Sequence, residues 1–220
     1  MSTESRRRPQ IVLAALAVAA LCIAAPVARA QPMQLDFLVA VANDRVQEVK
    51  RLLAQGIDPD IVDSNGDPAL LIAVRAGNAA TVELLLATRA NVNARNRFGD
   101  SALMVASLGG RFDFVKKLRA RGADVNQKGW TALIYAATGG HDEIVRYLLA
   151  EGADIDAASP NGTSALMMAA REGRVSTLDL LVARGADVNR KNESGASALD
   201  WARLGKEPAM VDRLRRAGAR

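Results

Sequence analysis

An all-α solenoid of helix-turn-helix units, joined by projecting loops or β-hairpins, is the fold class this sequence predicts, and three observations predict it. The triplet Thr131-Ala132-Leu133 recurs as Ser101-Ala102-Leu103, Ser164-Ala165-Leu166 and Ser197-Ala198-Leu199, with Pro68-Ala69-Leu70 as a looser copy. Its leucines stand at 70, 103, 133, 166 and 199, in steps of 33, 30, 33 and 33. A second phrase follows at the same interval: Gly122-Ala123-Asp124-Val125-Asn126, Gly152-Ala153-Asp154-Ile155-Asp156 and Gly185-Ala186-Asp187-Val188-Asn189. Between the two lie paired leucines such as Leu148-Leu149 and single glycines at 77, 110, 140 and 173. A period near 33 with a short-helix, turn, helix pattern marks a repeat array, whose apolar faces are buried only by stacking.

The chain opens on an address. Arg6, Arg7 and Arg8 precede an uninterrupted apolar run from Ile11 to Ala25, followed by Pro26 and the small-residue ending Ala28-Arg29-Ala30. That three-part pattern is a secretory signal peptide over residues 1–30, with cleavage expected after Ala30. The 15-residue run is short of the ~20 residues that span a bilayer, so no membrane segment is expected after cleavage. Pro9 and Gln10 sit where a twin-arginine signal has apolar residues, and Leu21 before Cys22 is too bulky for a lipidation box. Cys22 is the one cysteine, and it leaves with the signal. The remaining chain then forms no disulfide, which suits an oxidising compartment. The style of the signal resembles bacterial ones, which places the protein in a periplasm or among secreted proteins.

Residues 31–220 are read as one repeat domain. An N-terminal capping repeat covers about 34–65, with Phe37 in the place of Leu70 and Leu52-Leu53 as its leucine pair. Internal repeats follow at about 66–98, 99–128, 129–161 and 162–194, and a C-terminal cap at 195–220. The last helix of that cap holds Glu207, Asp212, Arg213, Arg215 and Arg216, polar enough to face water. Within each repeat, Ser or Thr caps the first helix. The mid-repeat glycine ends that helix in a left-handed conformation. The Asp and Asn of the second phrase bond the loop backbone that leads to the next repeat. Half of the residues are hydrophobic but only 4% aromatic, so Leu, Ala, Val, Ile and Met must build the core. The formal charge is +5, of which the first thirty residues carry +3; the small remainder disfavours nucleic acid as a partner.

Gly129-Trp130-Thr131-Ala132-Leu133, Gly140-His141-Asp142-Glu143-Ile144-Val145, Leu148-Leu149 and Gly152-Ala153-Asp154-Ile155-Asp156 together resemble the ankyrin-repeat family, over about residues 34–220. Ala stands where that family has Pro after Ser or Thr. Leu71, Met104, Ile134, Met167 and Asp200 stand where it has His, and Arg89 replaces a helix-closing glycine. The last exchange is expected to cost stability. The resemblance implies a binding scaffold that engages another protein through the concave face of its short helices and its loop tips. The sequence leaves the oligomeric state open, with a monomer expected.

No residue set for catalysis stands out. Neither a phosphate-cradling Gly-x-x-x-x-Gly-Lys-Ser/Thr loop nor a Gly-x-Ser-x-Gly elbow occurs. A single histidine without cysteine partners does not make a usual zinc site. His141 is read as a brace of its turn. Asp58, Asp60, Asp63, Asn65 and Asp67 crowd one loop, yet Ile61 and the lack of a closing glutamate break calcium-loop spacing. No catalytic residue, metal or cofactor is therefore expected, and the chain is read as a non-enzyme.

Aligning the repeats puts Arg75, Arg97, Phe98, Asp100, Leu108, Lys128, Trp130, Asn161 and Arg171 on the expected partner face, with Asp67 and Thr163 at related positions. Phe98 and Trp130 are the candidate anchors, because buried aromatics dominate binding energy. They flank the loop Asn126-Gln127-Lys128-Gly129, which is three residues short and leaves a notch among the fingers. The alternative for Trp130 is packing over the neighbouring loop. Tyr135 and Trp201 are expected to be buried. An inhibitor or immunity-type protein occluding one enzyme is the rival to an adaptor, with a small-ligand binder behind both.

Overall fold

The computed structural model describes residues 32–205 and 207–220; the expected signal segment, residues 1–30, lies outside them. Twelve helices pair into six units. The units are α1 (32–42) with α2 (Val46–Ala54), α3 (Ala69–Ala76) with α4 (Ala79–Leu86), and α5 (Ala102–Leu108) with α6 (Phe112–Ala120). Then come α7 (Ala132–Gly139) with α8 (Asp142–Ala150), α9 (Ala165–Arg171) with α10 (Val175–Ala183), and α11 (Ala198–Leu204) with α12 (Pro208–Arg216). First helices pack on first helices and second on second, so the chain is two stacked rows. Among the described residues, none of the helices is long and apolar enough to cross a membrane.

The repeated residues explain the stack. Ser101, Thr131, Ser164 and Ser197 sit in extended conformation and accept a hydrogen bond from the backbone N–H three residues on, capping α5, α7, α9 and α11. At Ser197 the cap is reciprocal. Its N–H and hydroxyl bond Asp200, and they hold that carboxyl below the usual carboxylate range. The triplet leucines 70, 103, 133, 166 and 199 are buried, as are Leu52, Leu85, Leu118, Leu148, Leu181 and Leu214 on the second helices. Burying one such side chain contributes about 1.5–3 kcal/mol. Alanines at 69, 102, 132, 165 and 198 are buried too, and their small side chains let neighbouring first helices approach.

Polar ladders tie the units at two further levels. At the turn between helices, the residue after the glycine reaches back one repeat to a carbonyl. Asn78 donates to Val41 and Ala42, Arg111 to Arg75, His141 Nε2 to Leu108 at 2.9 Å, and Arg174 to Thr138 at 3.0 Å. His141 is thus the brace expected of it. The turn glycines must also stay bare: a Cβ on Gly110, at φ +67°, would stand 2.6 Å from the His141 ring. In the loops, Asp60, Asn93, Asn126, Asp156 and Asn189 accept from the backbone N–H of Asn91, Asp124, Asp154, Asp187 and Arg220. Each Asp-x-Asn phrase is therefore docked onto the one before it.

Four fingers are closed by single antiparallel bridges, Val62 with Pro68, Arg95 with Ser101, Ala158 with Ser164 and Lys191 with Ser197. Among the described residues the shortened loop at 126–131 has none.

The cost in stability expected at Arg89 has no strained backbone behind it. Arg89 does not take the strained left-handed conformation of the glycine it replaces, because Asp44 is the one described non-glycine with positive φ. Elsewhere that glycine lets the next N–H reach a helix carbonyl, as Ala123 reaches Leu118. Here Thr88 relays the bond instead: its hydroxyl donates to the Leu85 carbonyl at 2.5 Å and accepts from Ala90 N–H at 3.1 Å. We therefore expect Thr88→Val to lower unfolding stability by about 1–2 kcal/mol in urea, the cost of unpairing the Ala90 N–H while the Leu85 carbonyl keeps the Thr88 N–H; Thr88→Ser keeps it. Arg89→Gly should give no gain, since the turn needs no glycine. A stabilised Arg89→Gly variant would refute the relay.

Candidate interaction face

Register along the first helices sets what faces the fingers. The residue two places after each triplet leucine, or after Phe37, is Val39, Ile72, Val105, Tyr135, Met168 and Trp201. All six are apolar or aromatic. Val39 and Ile72 line an open groove with finger residues Val62, Asp63 and Ser64. Val105 and Tyr135 line the next with Arg75, Asp100 and Leu108. One apolar stripe thus runs along the face that first helices and fingers share, interrupted at Met168, which is buried. Of the exposed large hydrophobics, Leu35, Val39, Val62, Phe98, Leu108 and Leu204 belong to the first helices or the fingers, and only Val175 to a second helix.

Tyr135 and Trp201, expected to be buried, are half-exposed instead. They occupy stripe positions rather than core positions. Tyr135 donates its hydroxyl to Asp100 Oδ1 at 2.5 Å, and its partial burial, with that bond, pushes the phenol above its usual pKa. Trp201 lies under the Arg171 guanidinium, 5.3 Å from the ring centroid.

The two candidate anchors differ. Phe98 is 72% exposed, with Arg97 5.5 Å from its ring centroid and its N–H held at 2.9 Å by Asn96. Trp130 is half-buried and meets Tyr135 edge-on, with centroids 6.0 Å apart. The ring it meets lies on α7 of its own repeat, whereas the alternative weighed for it was the neighbouring loop. Arg97 donates to the carbonyls of Ser64 and Asn65 on the preceding finger, so it fastens two fingers together. Lys128, Leu108, Asn161 and Arg171 are exposed. Asp67 and Thr163 are corrections: both are buried, because their position turns beneath the finger toward the core.

Asp67 holds the first groove together. Its carboxylate accepts from Arg75, which is half-exposed, and from Asn96 Nδ2 of the next finger at 2.8 Å. The Arg75 bond, then that from Asn96, keeps the carboxyl below the usual Asp range against the opposing effect of burial. The other acids of this loop serve the backbone. Asp58 accepts from Asp60 N–H, Asp60 from Asn91 N–H, and Asp63 from Asn65 and Asp67 N–H.

A depressed folded-state pKa means that the Asp67 contribution to stability is complete above the ordinary Asp value of about 3.9 and is lost as pH falls through the folded value. The thermal midpoint of the protein should therefore drop more steeply below about pH 4 than that of Asp67→Asn. Parallel curves in acid would show that the Arg75–Asp67–Asn96 constellation does not contribute.

A model of ankyrin repeats in three copies matches residues 37–129 and 122–192. A comparison with curated proteins finds no match. Among solved structures, the chain is similar to the ankyrin repeat domain of human ASB11, with 27% identity, 84% of each chain covered and a TM-score of 0.74. Its helix pairs, capped triplets and bridged fingers agree with that match, and the chain belongs to the ankyrin-repeat family.

Proposed function

We propose that this protein is an exported scaffold that binds another protein through the face lined by its first helices and fingers. Ankyrin repeats typically mediate protein–protein interaction. The observation that carries the reading to this face is the placing of exposed apolar side chains. Phe98 at 72%, Leu204 at 73%, Val39 at 41% and Leu108 at 41% lie on that side. Exposed apolar groups concentrated on one side, rather than scattered, mark an interaction site. The Asp67, Asp100 and Tyr135 constellations stiffen the floor beneath them, so binding costs little ordering. No convergent polar group that could do chemistry accompanies them.

Export rests on the three-part pattern of residues 1–30. Expression of the full chain in an exporting bacterial host should yield a protein whose amino terminus is Gln31; an intact amino terminus at Met1 would count against it. For the face, the immobilised protein is compared with Phe98→Ala/Leu108→Ser and with Val175→Ser on the opposite side, all checked for folding by circular dichroism. The partner retained from the compartment it occupies should be lost by the double variant and kept by Val175→Ser. Retention by the double variant and loss by Val175→Ser would place the binding surface on the second helices.

A further inference from the structure

The stripe is bordered on both sides by positive charge that forms no ion pair. On the fingers stand Arg95, Arg97 and Lys128; at the helix turns stand Arg111 and Arg174. Among the described residues none of the five is in an ion pair. Arg95 donates to the Lys128 carbonyl at 2.8 Å, Arg97 to the Asn65 carbonyl at 2.7 Å, Arg111 to that of Arg75 and Arg174 to that of Thr138. A carbonyl bond satisfies a guanidinium N–H but leaves its full charge in place. The carboxylates of the same face include the two held in the floor, Asp67 and Asp100, and Asp63, Glu172, Glu193 and Glu207 toward its ends, Glu207 at the turn that follows that of Arg174. The middle of the groove is therefore an apolar floor between two cationic rims.

From this we infer that the occupant is an acidic amphipathic helix, laid along the stripe with apolar side chains on Val105, Tyr135 and their neighbours and with Asp or Glu on both flanks. The inference rests on the binding face proposed above and names the chemistry of the partner. Spacing sets a strand aside, and the chemistry of the floor chooses the helix over polyproline. Directly packed helices lie about 8–10 Å apart, so the stripe offers one apolar contact at roughly that interval. A helix repeats a face every seven residues, or about 10.5 Å. A strand returns to the same face every ~6.8 Å and falls out of step. A polyproline turn of ~9 Å is close in length, but such segments dock in aromatic-lined grooves, and half of this stripe is Val and Ile. Charge selects the flanks, since a basic helix would meet like charge on both rims.

The test uses three fluorescent 21-residue probe peptides and anisotropy with the purified protein. The first has Leu at the a and d positions of three heptads and Glu at e and g. The second carries Lys at e and g, and the third is proline-rich with the same Glu content. The acidic helical peptide should bind at least tenfold tighter than either of the others, and its affinity should fall severalfold as salt rises. Lys128→Glu, whose side chain forms no hydrogen bond or ion pair among the described residues, and Val105→Ser in the floor should each weaken it fivefold or more. Equal or tighter binding of the Lys or proline-rich peptide, no binding of any probe, or indifference to both substitutions overturns the inference. The proposed face fails separately. If Phe98→Ala/Leu108→Ser still loses the captured partner while the acidic peptide does not bind, the partner chemistry is wrong and the face stands.

Discussion

Stacking of one repeat on the next is the interaction on which the rest of the molecule depends. A helix pair such as α7 and α8 has no inside of its own. Leu133 and Leu148 become buried because α5 and α6 lie on one side and α9 and α10 on the other. The polar ladders follow the same logic, since the bonds of His141 to Leu108 and of Asn126 to Asp154 cross from unit to unit. Stability in such an array is approximately a sum of repeat terms and nearest-neighbour terms. A local change is therefore felt by two interfaces and then fades. That locality lets single surface positions vary without loss of the fold.

The parts of the fold that recur were legible in the sequence. A serine or threonine that must cap a helix and a glycine that must turn left-handed are fixed by backbone geometry at every copy, and Ser101, Thr131, Gly110 and Gly140 do what their type implies. Single-copy solutions were not legible. The missing glycine at Arg89 signals a defect when read by type, but whether Thr88 can stand in for it depends on where its hydroxyl falls. The same holds for Asp67. Its equivalents Asp100, Trp130, Thr163 and Ala196 are all partly or fully covered, and the approach of Arg75 and Asn96 explains why a carboxylate can be buried there.

The interaction face was half legible for a related reason. Aromatic side chains on apolar helices suggest core, so Tyr135 and Trp201 were assigned inward. The signal that places them correctly is their register, two residues past a repeated leucine, shared with Val39, Ile72, Val105 and Met168. One register position that stays apolar in every repeat, on a surface that stacking leaves open, is the mark of the stripe. Phe98 was readable because its finger position has no core to join. Trp130 was not, because it holds the register of Asp100 rather than that of Phe98, beside the first helix, where its ring meets Tyr135.

That shorter loop shows how the stack absorbs a deletion. In the full fingers a side chain such as Asn96 or Asn192 accepts two N–H groups of its own hairpin and holds the tip together. The loop at 126–131 has lost that nucleus, and its support comes from the preceding finger. Arg95 donates to Gln127 Oε1 at 3.3 Å and to the Lys128 carbonyl, and the buried Gln127 amide turns back toward Asn93. Trp130 then covers the space beside Tyr135. With three residues gone, the groove is open at its middle and bordered by Phe98 on one side and Lys128 on the other. Those contacts fasten to the unit before it a loop that, among the described residues, has no hairpin bridge of its own.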